Sequence, residues 1–147
     1  MSSDSGQCEK QLKNQVRVFY EDLWNKFDIS VADKIMSPDL VFRGTISTTP
    51  QGLGGFKQYV LDIQATFPDF YAYIDELYIA KGEDGQHCIA KLRWTGTHTQ
   101  PFRGIEPTGR KFEYPGVAII KIEANLLISK VWALGDTHEI FKAISGD

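Results

Sequence analysis

A chain of 147 residues with 42% hydrophobic and 24% charged residues has the size and composition of one soluble domain. Its formal charge of −3 leaves no basic stripe to neutralise phosphates, which argues against nucleic acid as a partner. Two cysteines, Cys8 and Cys88, give neither a disulfide framework nor metal-ligand spacing, and no apolar run approaches membrane-spanning length. The expectation is therefore one cytoplasmic domain over 1–147, with a flexible segment over 1–8.

Helix comes first. Leu12, Val16, Phe19, Tyr20, Leu23 and Phe27 repeat at the spacing of a single apolar stripe. Ser30 with Asp33 resembles a capping box, opening a short helix through Ile35 and Met36 that stops before Pro38. Asp39 to Gly44 reads as a short strand. After the loop STTPQGLGG, a third helix is predicted from the stripe Leu53, Phe56, Val60, Ile63 and Phe67, ending at Pro68. GLGG lacks both the lysine of a P-loop and a βαβ setting, so it reads as a loop and helix start.

From there the period becomes alternating. Tyr71–Ala80, His87–His98, Lys111–Ile122 and Leu126–Asp136 are strand candidates rich in β-branched and aromatic residues. Lys81 to Gln86 makes a turn around Asp84-Gly85, and THEIFKAI forms a final helical turn. Helices followed by consecutive strands predict an α+β domain with an antiparallel sheet. Three amphipathic helices against a curled sheet would enclose a cavity.

Alternation assigns Cys88, Ala90, Leu92, Trp94, Gly96 and His98 to one face of their strand, with His98 at its mouth. Trp132, Leu134 and Asp136 share one face of the last strand, with Val131, Ala133 and Gly135 opposite. A carboxylate ending an apolar row is a place where burial raises a pKa toward that of a useful base. On this reading Asp136 and His98 point into one cavity beside Trp94 and Trp132. Each also has a structural reading: Asp136 as the N-cap of the following turn, His98 as a hydrogen-bonded strand end, Tyr20 as plain core. Arg43, Arg93, Arg103 and Arg110 are candidates for an acidic group or for solvent. No GxSxG elbow and no HExxH motif is present, and neither cysteine neighbours a base.

The long connection GTHTQPFRGIEPTGRKF, Gly96 to Phe112, exceeds what a turn requires. It resembles the G-T-H-x-G-x-F-x-G-x-x-P-T-G-[KR] segment of SnoaL-like polyketide cyclases, also called ester cyclases. VFYEDLWNKFDISVADKIMSPDLVF, GLGGFKQYV, TFPDF and VWALGD follow the same family's order, so the likeness runs from about Val16 to Ile144. The resemblance implies a nuclear transport factor 2-like fold, a cone of curved antiparallel sheet closed by N-terminal helices around a central pocket. It also implies cofactor-free, metal-free closure of a ring in a polyketide ester by intramolecular aldol condensation. Carried over, Asp136 is the candidate base and His98 the acid or carbonyl partner. Tyr20, Trp132, Trp94, Arg43, Phe67 and Phe102 are then candidates for contact with a small apolar carbonyl compound, in a homodimer or higher homo-oligomer.

Three positions depart from the family pattern. Gln100 replaces a frequent glycine, EANL (Glu123 to Leu126) lacks the usual Asp-Gly, and Ala133 directly follows Trp132. If the family's acid belongs after that tryptophan, this chain lacks it. Two other readings share the fold: a hydrolase, dehydratase or isomerase on the same cavity, or a non-catalytic binding or dimerisation module.

Overall fold

Five strands form one curved sheet against which the helices pack; the first strand in the chain lies beside the fifth, followed across the sheet by the fourth, the third and the second. The computed structural model describes residues 3–146, with side chains described from residue 9 to residue 146. The expected flexible segment 1–8 falls outside the described side chains.

Helix α1 (Ser3–Arg17) runs directly into a π-helical segment, Val18–Trp24. The wider turn shifts the helical phase, so that both adjacent pairs, Phe19-Tyr20 and Leu23-Trp24, are buried. One apolar stripe was the sequence expectation; two neighbouring stripes are what the sheet receives. The chain then makes a 3-10 turn (Ile29–Val31) and the short α2 (Ala32–Ile35). Its cap differs from the expected capping box. Asp28 Oδ1 accepts from the Ser30 amide at 3.1 Å and from the Ser30 hydroxyl, so Ser30 is engaged as a donor and does not cap.

β1 (Met36–Arg43) starts earlier than predicted and contains Pro38, which an edge strand tolerates because it needs no donor there. It lies parallel to β5, whereas every other pairing in the sheet is antiparallel, so the sheet is mixed. α3 (Leu53–Thr66) follows, then β2 (Tyr71–Gly82), β3 (Gly85–Thr97), β4 (Lys111–Ile122), β5 (Ile128–Gly135) and α4 (His138–Ser145). Register shifts in β2 between Ile74 and Glu76, and in the β4–β5 pair at Lys121/Ile122, bend the sheet around the helices.

Alternation decides what fills the concave side. β3 contributes Cys88, Ala90, Leu92 and Trp94, and β4 contributes Phe112, Tyr114, Ala118 and Ile120. They meet Val16, Phe19, Tyr20 and Leu23 from the N-terminal helix, and Phe56, Val60 and Ile63 from α3. Each large side chain so buried is worth about 1.5–3 kcal/mol against exposure.

Candidate active site

On the concave face a small cavity of about 20 Å³ is lined by Phe19, Tyr20, Trp24, Thr45, Tyr59, Trp94 and Ala133, among others. One water needs about 10–15 Å³ of such space and a drug-sized ligand several hundred. In this structure the cone interior is thus nearly closed by its own rings. Two phenols, Tyr20 and Tyr59, and the Thr45 alcohol are among its lining residues. The Thr45 and Tyr114 hydroxyls are 2.8 Å apart, so one donates to the other. The Tyr20 side chain is buried, and no hydrogen bond reaches its hydroxyl among the described residues. Burial drives the ionisation of Tyr20 and Tyr114 far above the usual tyrosine range, and that of Tyr59 above it as well. All three are therefore held as neutral phenols.

No carboxylate and no histidine lines this cavity among the described residues. The residue at the base-like position after Trp132 is Ala133, and its side chain faces the cavity. The shared face expected for Asp136, Trp132 and the cavity is corrected here. Val131 and Ala133 are the buried row of β5, while Trp132 is 38% exposed and Leu134 50%. Crowding gives the reason. A Cβ on Gly135 would lie 2.9 Å from the Tyr114 ring and 3.2 Å from the Thr45 methyl, so the small row must face inward. Asp136 is exposed just before α4, where its amide donates to Pro115 O and its carbonyl accepts from the Glu139 amide.

His98 ends the concave row of β3 as expected, yet it lies far from Asp136. His98 pairs with Arg110 and Asp136 with Pro115, five residues further along the same chain. At the rise of an extended strand that is roughly 16 Å. His98 is fully buried, and its Nδ1 accepts from the Thr108 amide at 3.2 Å. The Thr108 hydroxyl accepts from the Arg110 amide at 3.2 Å and sits 2.9 Å from Nδ1, to which it donates. Nδ1 is therefore the bare nitrogen and Nε2 carries the proton, with no partner among the described residues. The backbone of His98 is bonded at both ends as well, to Arg110 O and the Gly109 amide. This histidine closes the base of the long loop.

The loop above it folds back in a tight turn, with Arg103 and Gly104 both at positive φ and Phe102 bonded reciprocally to Ile105. Phe102 then packs on Phe67 and Phe141, at ring-centroid distances of 5.1 and 5.7 Å. Phe67 is buried core rather than cavity lining. Arg43 lies on the convex face, its guanidinium 4.9 Å from the centre of the Trp132 ring and donating to Ala133 O. Of the candidate residues, Tyr20 and Trp94 are together in the cavity, Phe67 and Phe102 are together under the long loop, and Arg43 and Trp132 are together outside. Thr45, Tyr59 and Tyr114 escaped the sequence reading. Only Tyr114 carried a signal for it, two residues from Phe112 on the apolar row of its strand.

The described residues contain no cluster of His, Cys, Asp and Glu able to hold a metal. None of the described helices is long and apolar enough to cross a membrane. The profile of the SnoaL-like polyketide cyclases matches residues 14–144. Three solved structures share the architecture. IdmH from Streptomyces antibioticus is 22% identical with a TM-score of 0.77, over 89% of this chain and 96% of that one. A SnoaL-like protein from Jannaschia sp. CCS1 is 18% identical with a TM-score of 0.80, over 94% of each chain. A SnoaL-like polyketide cyclase from Agrobacterium tumefaciens str. C58 is 19% identical with a TM-score of 0.70, over 89% of this chain and 95% of that one. A comparison with curated protein sequences gives no match.

Proposed function

The chain belongs to the SnoaL-like polyketide cyclase family, and from that premise we propose that it closes a ring in a small, mostly apolar carbonyl compound without a cofactor. The observation that carries this reading is the buried Tyr20 side chain, its hydroxyl free of hydrogen bonds among the described residues, lining one cavity with Thr45, whose hydroxyl pairs with that of Tyr114. The substrate is a β-dicarbonyl whose enol is accessible. Its enol carbon attacks a second carbonyl of the same molecule, forming a C–C bond and breaking that C=O π bond. The new alkoxide takes its proton from Tyr20, and Tyr20 recovers one from the enol oxygen, directly or through the Thr45–Tyr114 pair. Protons balance with no further reactant. General acid–base assistance of this type contributes about 10²–10⁴-fold, and confinement of a flexible substrate adds to it. Asp136 has no step in this scheme, and His98 serves by fixing the loop.

A second reading, binding without catalysis, is favoured by Ala133 at the cavity wall and by the near-closure of the cavity. The test is turnover of an aryl β-keto ester carrying an ortho-ketone, followed by absorbance. Cyclase activity predicts acceleration over buffer, with kcat lowered about 10²-fold in Tyr20→Phe and KM little changed. Saturable binding with no acceleration would overturn the catalytic reading and leave the binding one.

The proposal includes self-association through the convex face. Tyr78, Ile89, Ile119 and Trp132 are cross-strand neighbours there, and Val117 and Leu134 form the adjoining pair. Tyr78, Ile119, Trp132 and Leu134 are all exposed. A continuous apolar row of this kind on an open sheet suits a second copy of the chain.

A further inference from the structure

Beside the closed cavity runs an open groove of about 350 Å³ between α3 and the 44–52 loop, lined by Ser47, Gln51, Gln58, Asp62, Thr66 and Phe102 among others. Tyr59 lines both spaces. We infer that Tyr59 is the partition that admits substrate to the cavity, and that the substrate is amphipathic, with an apolar carbonyl end inside and a hydroxylated end in the groove. This rests on the reading of the cavity as the reaction site.

Four observations support it. The Tyr59 hydroxyl is held from the loop side, accepting from the Ile46 amide at 3.2 Å and the Ser47 amide at 3.5 Å. Its ring stands edge-on to Trp24 and Phe42 on the cavity side, at 5.8 and 5.2 Å. Gly44 leaves the space for it, since a Cβ there would lie 2.5 Å from the Tyr59 oxygen. Arg103, at the tip of the long loop, donates to Ile46 O and so ties down the backbone that latches the tyrosine. The cavity alone is too small for any cyclisable molecule, and the groove alone is of ligand size but lacks the buried hydroxyls. Moving one ring joins them.

The groove decides the other end of the ligand. Beside the apolar Ile46, Ile63 and Phe102, its side chains are hydroxyls, amides and one carboxylate, with Gln58 donating to Asp62 at 2.9 Å. Such a mixture accepts from and donates to several hydroxyl groups at once and gives no hold on an anion.

The experiment uses 4-hydroxyacetophenone and its β-glucoside as probes, measured by calorimetry and stopped flow. The glucoside is expected to bind at least tenfold tighter than the aglycone, and Asp62→Asn with Gln58→Ala to remove that advantage while leaving aglycone binding intact. Tyr59→Phe, which keeps the ring and loses both latching bonds, is expected to speed association of both probes by about fivefold. Gly44→Ala, which displaces Tyr59 without altering it, is expected to act in the same direction. Equal affinities together with unchanged association rates in both variants would overturn the inference. If Tyr20→Phe still lowers kcat on the β-keto ester in that case, the cavity reading survives; if neither probe binds any variant and Tyr20→Phe turns over like the parent, both fall.

Discussion

The Arg43 guanidinium stacks over the Trp132 ring on the convex side of the sheet, 4.9 Å from its centre. That contact goes with the phase that crowding at Gly135 imposes on β5. With Trp132 outside, Ala133 must face the cavity, and the next outward position but one is Asp136, beyond the strand's end. A one-residue change of phase would exchange every side chain between faces, so the outward position of Trp132 goes with Ala133, and not an acid, at the cavity wall.

Asp136→Asn follows from that placement. The carboxylate is exposed, and the bonds at this position come from its backbone. Turnover and probe affinity are expected to stay within about twofold of the parent, as for surface changes away from special features. Steady-state kinetics on the β-keto ester checks this, and a loss of tenfold or more would restore Asp136 as the base.

His98→Ala removes a fully buried ring and leaves the Thr108 amide and hydroxyl without their acceptor. The cavity and the orphaned donors together are expected to cost about 2–4 kcal/mol. Denaturant melts at constant m-value measure it. Limited proteolysis at Arg103 and Arg110 should accelerate, because the base of the loop loses its clamp.

Leu134→Lys places a charge in the pair that adjoins the convex apolar row, at a side chain that is half exposed in one copy. Light scattering on the eluted protein is expected to show the parent as a dimer and the variant as a monomer, with unfolding of the monomer changed by no more than about 0.5 kcal/mol. A monomeric parent, or a dimeric variant, would remove this face as the contact.

Alkali should unfold the protein in a defined window. Burial pushes the Cys88 thiol from 9.0 up to about 11 and holds Tyr20, Tyr59 and Tyr114 above 10.0. These folded-state values are raised, so the stabilisation is complete below pH 9 and is lost as pH climbs past 9 for Cys88 and past 10 for the tyrosines. Stability is expected to be level from pH 7 to pH 9 and then to fall. Tyrosinate absorbance from the buried phenols should appear only as the circular dichroism signal is lost. Its appearance in the folded protein would contradict their burial.

Much of the fold was legible because periodicity reports burial directly. The row Cys88, Ala90, Leu92, Trp94 needed only alternation to be assigned to one face, and its apolar character marked that face as inner. The stripe of α3 was read by the same logic. The π-helical turn at Val18–Trp24 was not, since two apolar pairs four residues apart fit an ordinary helix equally well. Pro38 suggested a stop before the strand, but its edge position, set by pairing with β5 far along the chain, made it part of β1.

The candidate site divided along the same line. Tyr20 and Trp94 were identifiable because each belongs to an apolar row whose direction local sequence fixes. In β5 both rows are apolar, Val131-Ala133 and Trp132-Leu134, so alternation separated them without ranking them. Packing ranked them: Tyr114 and Thr45 already occupy the concave side, and only the small row fits. The amino-acid sequence by itself determined the class of fold, the family and the apolar character of the cavity, all consequences of local pattern. Which carboxylate stays outside, which hydroxyls converge and which tyrosine divides cavity from groove depended on contacts between residues tens of positions apart, and those exist only once the sheet has curled.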